Sequence, residues 1–260
     1  METAEAHYRR ATELHDQGDL EGAIVEYRNG LRLSPDDTLA HINLGNALLK
    51  KNDGAAAVAE YREAVRLDPN HPIPHSNLAY ALLRMGQMDE AVAEYRAAID
   101  LGLSQASTHG NLANALYAKG DRGEAIVHYR EAVRLAPDHA GARCNLANAL
   151  NGNYDLDEAS AEYREALRLN PDYAEAHFGL ADMLATVGQL EEAIVEYREA
   201  LRARPAYPDA HYNLGNLFAN NDRLEEACAE YRAALRLRPD FHDAVTNLAV
   251  CLARLGTIRS

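Results

Sequence analysis

Residues that can be buried recur along this chain at intervals of three and four. Around residue 109 the stripe is His109, Leu112, Ala113 and Leu116, an i, i+3, i+4, i+7 spacing that predicts one buried helical face. A turn follows, often with glycine (Gly18, Gly86, Gly120, Gly188), which fits a left-handed helix cap. A second stripe of Ala, Ile or Val, Tyr, Ala and Leu comes next, as in Ala193, Ile194, Tyr197, Ala200 and Leu201, and predicts a second helix. A proline then ends it, because proline cannot continue the hydrogen-bond ladder.

This two-helix pattern has a fixed period. Tyr27, Tyr61, Tyr95, Tyr129, Tyr163, Tyr197 and Tyr231 stand 34 residues apart. Alanines from Ala23 to Ala227 precede each tyrosine by four residues, and Pro35, Pro69, Pro137, Pro171, Pro205 and Pro239 follow it by eight. The units are therefore 4–37, 38–71, 72–105, 106–139, 140–173, 174–207 and 208–241, with a terminal half unit or capping helix at 242–260. Positions below are counted from the first residue of each unit. The third junction, DLGLSQ at 100–105, lacks the proline and is the expected weak point of the array.

A 34-residue helix–turn–helix with Leu-Gly/Ala, Ala, Tyr, Ala and Pro at these offsets resembles the tetratricopeptide repeat over residues 4–260. The resemblance implies an all-α, right-handed superhelix (an α-solenoid) whose first helices line a concave wall. It also implies a non-catalytic scaffold or adaptor that binds a protein. The octets HINLGNAL at 41 and HGNLANAL at 109 are also similar to repeats in the superhelix of O-linked N-acetylglucosamine transferases. Tetratricopeptide domains that hold a C-terminal carboxylate use a lysine at position 5. This chain has none there, so that mode of recognition is not expected.

The octets carry asparagine, a poor helix former, at positions 6 and 9. Position 6 reads Asn43, Asn77, Asn111, Asn145, Gly179, Asn213, Asn247, and position 9 reads Asn46, Tyr80, Asn114, Asn148, Asp182, Asn216, Val250. At about 0.6 kcal/mol each, ten such asparagines cost about 6 kcal/mol of helix propensity, so something offsets them. On a helical wheel, positions 2, 6, 9 and 13 lie opposite the buried stripe. Two accounts are open. The amides bond one another or nearby backbone between neighbouring units, or they grip the backbone of an extended peptide with donor and acceptor together. The peptide account is adopted, with Tyr80 and Tyr117 added to the amides and Asp182 as the candidate binding residues. The inner wall is expected to be apolar to mildly basic in units 2 to 4 (Leu39, Ile42, Leu49, Ile73, Leu83, with Lys50 and Arg84). Towards the C-terminus it is expected to be acidic with aromatics (Glu175, Phe178, Asp182, Asp209, Tyr212, Asp243). A ligand with an apolar stretch followed by Arg or Lys fits that order.

Other chemistry is weaker. Position 4 carries His7, His41, His75, His109, His177 and His211, but equivalent residues on stacked helices stand about 8–10 Å apart, too far to share a metal. They are read as interior packing residues. No phosphate loop, HExxH run or GxSxG elbow appears, so no catalytic site, cofactor or metal is expected. The net charge of −14 argues against nucleic acid. The absence of a long apolar segment argues against a membrane partner. The start METAEAHYRRATE has no apolar signal core, and Cys144, Cys228 and Cys251 have no metal-type spacing, so a cytoplasmic protein is expected. Two alternatives remain: the recognition array of a larger glycosyltransferase-like enzyme, or a scaffold that self-associates through its C-terminal helix.

Overall fold

The structure, a computed structural model, describes residues 2–258. Among these residues there are helices and no strand, packed as two compact units that divide at Leu135 and Ala136. The division does not fall at DLGLSQ, which lies inside the first unit. That unit contains α1 (Ala4–Asp16), α2 (Leu20–Leu33), α3 (Thr38–Lys50), α4 (Gly54–Leu67), α5 (Pro72–Arg84), α6 (Met88–Asp100), α7 (Ala106–Lys119) and α8 (Arg122–Leu135). The second contains α9 (Ala140–Gly152), α10 (Leu156–Leu169), α11 (Ala174–Thr186), α12 (Leu190–Ala203), α13 (Pro208–Asn220), α14 (Leu224–Leu237) and α15 (His242–Ile258). Each odd-numbered helix from α1 to α13 packs on the even-numbered helix after it, and that helix on the next hairpin within the unit. The odd-numbered helices also touch one another, α3 with α5, α5 with α7, α9 with α11 and α11 with α13, which puts them on the inner side of each stack. The fold is an all-α tetratricopeptide solenoid.

Local chemistry explains the punctuation. Asp19, Asp37 and Asp53 cap α2, α3 and α4, their side chains accepting from the backbone N–H of Gly22, Ala40 and Ala56. The turn inside each hairpin needs a left-handed residue at position 15, which glycine supplies at Gly18, Gly86, Gly120 and Gly188. Asn52, Tyr154 and Asp222 take the same conformation without being glycine. Asn and Asp tolerate it, whereas a tyrosine is strained there. Tyr154 is 81% exposed and so makes little compensating contact. Replacing Tyr154 with glycine is expected to raise stability by about 1 kcal/mol, read as a higher urea midpoint.

The core is built on small residues against one large ring per hairpin. Ala57, Ala91, Ala159, Ala193 and Ala227 are fully buried, and Tyr61, Tyr95, Tyr163 and Tyr231 are at most 1% exposed. The rings sit where any added bulk collides: a Cβ on Gly45 would lie 2.5 Å from Tyr61, and one on Gly215 would lie 2.8 Å from Tyr231.

Of the position-4 histidines, His41, His75, His109 and His177 are buried, as expected from the sequence, whereas His7 and His211 are half-buried; they also carry a specific joint. The Nδ1 atoms of His41, His75 and His177 lie 2.6–2.7 Å from Glu60, Glu94 and Glu196 on the second helix. Their Nε2 atoms lie 2.9–3.1 Å from the carbonyls of Pro35, Pro69 and Pro171. His7 and His211 make the same carboxylate contact. Arg143 replaces the histidine and keeps both bonds, to Glu162 at 2.7 Å and to the Pro137 carbonyl at 2.8 Å. At His109 the carboxylate is missing: its Nδ1 faces the Nδ1 of His128 at 3.0 Å, and its Nε2 faces the Ser104 hydroxyl.

Candidate functional site

Positions 2, 6, 9 and 13 of each first helix lie on one side of it, opposite the stripe that packs in the core. Asn46, Tyr80, Asn114 and Asn148, at position 9, are exposed. Asn43, Asn77, Asn111, Tyr117, Asn145, Asp182, Asn213, Asn216 and Asn247 are half-buried. The candidate residues thus reach the inner surface of each unit, but their amides are not idle. The Tyr61 hydroxyl donates to Asn46 Oδ1 at 2.7 Å, and Asn77 Nδ2 donates to the same oxygen from the next hairpin. In the second unit Tyr231 donates to Asn216 Oδ1 at 2.8 Å, and Asn247 Nδ2 joins it at 2.9 Å. Asp182 takes the same place, accepting from Tyr197 and from Asn213 Nδ2. Tyr129 and Tyr163 donate likewise to Asn114 and Asn148. The bonding between neighbouring units is therefore present and offsets part of the helix penalty.

This relay orients the amides. Two donors converging on one atom can be met only by the amide oxygen, so the NH2 of Asn46 and Asn216 is turned elsewhere and has no partner among the described residues. Asn77, Asn213 and Asn247 spend their NH2 on the relay and keep their oxygen. Burial raises the Asp182 carboxyl above its usual range despite the hydrogen bonds from Tyr197 and Asn213. Burial also pushes the Tyr231 hydroxyl up to about 12, so it stays a donor at neutral pH. The relay is interrupted at Gly179, which has no side chain to donate to Asn148, and at Tyr80. Tyr80 stands where an amide is expected, and the Tyr95 hydroxyl below it is buried with no hydrogen-bond partner, Asn111 being the polar group beside it.

In the second unit the amides border two adjoining depressions of about 360 and 450 Å³, which share Asn216 and Asn220. The first is also lined by Asn247, Val250 and Arg254, the second by Asp182, Thr186 and Asn213.

The acidic character expected of this end is reduced, because two of its carboxylates are paired with arginines. Glu175 is paired with Arg204, and Asp209 with Arg238 at 2.7 Å. Each arginine also lies over an aromatic ring, Arg204 over Tyr207 and Arg238 over Phe241. Phe178 and Tyr212 stack on those same rings at 4.9 and 4.7 Å. Asp243 is exposed and has no ion-pair partner among the described residues, so part of the expected acidity stays on this wall. Ile42, expected on the inner wall of the first unit, is buried in the core instead.

The cysteines are free and buried, and burial pushes the Cys144 thiol up to about 12, which makes it unreactive. Among the described residues no group of His, Cys, Asp and Glu could hold a metal ion, and no helix is long and apolar enough to cross a membrane. On α15 the position-4 and position-11 residues Val245 and Leu252 are exposed, although the same positions are buried in α3, α5 and α7.

Comparison with known proteins agrees with this architecture. The model described as "TPR repeat" matches residues 11–52, 45–86, 113–153, 155–188 and 181–222. "Tetratricopeptide repeat" models match 208–241 and 75–101. No curated protein sequence matches the chain. Among solved structures, a tetratricopeptide repeat protein from Parabacteroides merdae is similar at a TM-score of 0.73 and 14% identity, over 96% of this chain and 98% of that one. The C-terminal part of a TPR repeat-containing protein from Cytophaga hutchinsonii gives 0.71 and 18%, over 93% and 99%. YrrB, described as a TPR protein with an unusual peptide-binding site, gives 0.63 and 21%, over 71% and 95%. The matched repeats run through most of the sequence, and the chain belongs to the tetratricopeptide-repeat family, a protein–protein interaction scaffold.

Proposed function

We propose that the inner wall of first helices binds an extended polypeptide segment through its main chain. The position-9 NH2 groups donate to carbonyls of the ligand, and the position-6 oxygens accept from its N–H groups. The observation that carries this reading is the shared oxygen of the relay, because it leaves one donor and one acceptor uncommitted at the Asn46–Asn77 and Asn216–Asn247 steps. A peptide backbone offers the complementary alternation of acceptor and donor. A peptide-binding site in YrrB, of the same fold, supports the class of ligand.

Replacing Asn216 with aspartate tests it. Asp182 already holds the same relay, so the substitution keeps the bonds from Tyr231 and Asn247 while removing the outward NH2. Binding of a fluorescein-labelled random peptide library should weaken about tenfold, the loss of one hydrogen bond of about 1.4 kcal/mol, with the urea midpoint unchanged. Asp182→Asn, which adds a donor, should tighten it. Unaltered affinity in both variants would remove the proposal.

A further inference from the structure

The stripe on each first helix in the middle of the first unit has three bands. With about 1.5 Å of rise per residue, positions 6, 9 and 13 stand roughly 6, 10 and 16 Å along the helix from position 2. At the position-2 edge are Leu39 and Ile73, 65% and 45% exposed. The middle band is the amides Asn43, Asn46, Asn77, Asn111 and Asn114, interrupted by Tyr80. At the position-13 edge are Lys50 and Arg84.

Charge on this wall is one-sided. In a chain of net charge −14, positions 2, 6, 9 and 13 of α3, α5 and α7 contain two cations and no carboxylate. The neighbouring lysines one position along are neutralised, Lys51 by Glu21 and Lys119 by Asp89. Lys50 and Arg84 have no carboxylate partner among the described residues. Arg84 is held instead by the neutral oxygen of Asn52 at 3.0 Å. That bond places the guanidinium on a cavity of about 240 Å³ lined also by Leu49, Gly54 and Met85. Its charge is fixed in position and uncompensated.

We infer that this wall takes an extended segment whose side chains alternate between apolar and acidic. The inference rests on the peptide reading above. In an extended chain successive side chains point to opposite sides. A backbone seated on the middle amide band therefore sends one set towards Leu39 and Ile73 and the other towards Lys50 and Arg84. The apolar set covers exposed aliphatic surface and the edge of Tyr80, and the carboxylates reach the two cations, one of them through the cavity at Arg84. The second unit carries no such preference, since its position-13 residues Gly152, Thr186 and Asn220 are neutral and the fourth, Arg254, is paired with Asp222 at 2.6 Å.

Short fluorescein-labelled peptides of alternating Leu and Glu, Leu and Gln, and Leu and Lys test this by anisotropy at low salt. The Leu/Glu peptide should bind about fivefold tighter than Leu/Gln, the sum of two partly exposed ion pairs, and Leu/Lys weakest. The order should reverse in Lys50→Glu with Arg84→Glu, two surface changes whose fold is checked by circular dichroism. Equal binding of the three peptides would overturn the charge preference and leave the main-chain reading standing. If none of the three binds at millimolar concentration, both readings fall.

Discussion

Truncation of Tyr61 to alanine is expected to lower stability by about 3–5 kcal/mol, the range for removing a large buried ring. The ring is 1% exposed and packs where α3 has only Gly45, so no neighbour can move in to fill the space. Two milder substitutions separate the ring from its hydroxyl. Tyr61→Phe keeps the ring but leaves Asn46 without the bond at 2.7 Å, and should cost about 1 kcal/mol. Tyr95→Phe should do the opposite and raise stability by about 1 kcal/mol, because it deletes a buried hydroxyl that has no partner. Repeat arrays can unfold in stages, so the readout is the urea midpoint of each variant, followed by circular dichroism. Tyr95→Phe falling as far as Tyr61→Phe would show that the relay does not distinguish the two sites.

Acid should weaken the hairpin of α7 and α8 more than its neighbours, and His128→Glu should rescue it. His109 and His128 stack at 5.3 Å, and burial lowers both from the ordinary histidine range. Arg134 adds to the lowering at His109, while His109 and Arg96 add to it at His128. Glu131 acts the other way at both, and Glu124 at His128. A group whose folded pKa is depressed binds more protons when unfolded, so its contribution is present above the unfolded value of about 6.5 and is lost as pH falls below that and through the lower folded one. The His177–Glu196 joint has the reverse sign. Burial works against the imidazolium, but Glu196 and the Pro171 carbonyl prevail and raise its pKa, so that joint is strongest below about 6.5 and fades as pH rises. His128→Glu makes the fourth hairpin like the sixth. The gain in acid should be about 1.5–2 kcal/mol, that of one hydrogen bond to a charged group. Urea midpoints of both proteins between about pH 5 and pH 8 check this, the largest difference appearing at the acid end. Parallel pH profiles would discard it.

The helices were legible in the sequence because burial follows their period. Each stripe from His7 to Leu255 lies on a helix, and the glycine turns take the predicted left-handed form at Gly18, Gly86, Gly120 and Gly188. The same turn was not legible at Asn52, Tyr154 and Asp222, where no glycine announces it. The carboxylate partners of the histidines were missed, although a signal existed. Each pair is 19 residues apart, and where the pattern departs, at Arg143 with Glu162 and His109 with His128, the substitute still forms a joint. The amides show the limit of a single-helix projection. The wheel placed Asn46 on the open side correctly, but it could not show the Tyr61 side chain reaching round from α4 or the Asn77 amide arriving from α5. Nor could it show that Arg204 and Arg238, nearly thirty residues further on, neutralise Glu175 and Asp209.

The shared oxygen also bears on how such a chain can grow. A duplicated block of 34 residues arrives with its own tyrosine and its own acceptor, and it offers the donor that the preceding block lacks. Lengthening by whole blocks therefore creates no mismatched seam. An insertion of any other size would disturb the pairing at the seam where it falls, while later blocks, whose bonds span only 15 and 31 residues, would keep theirs.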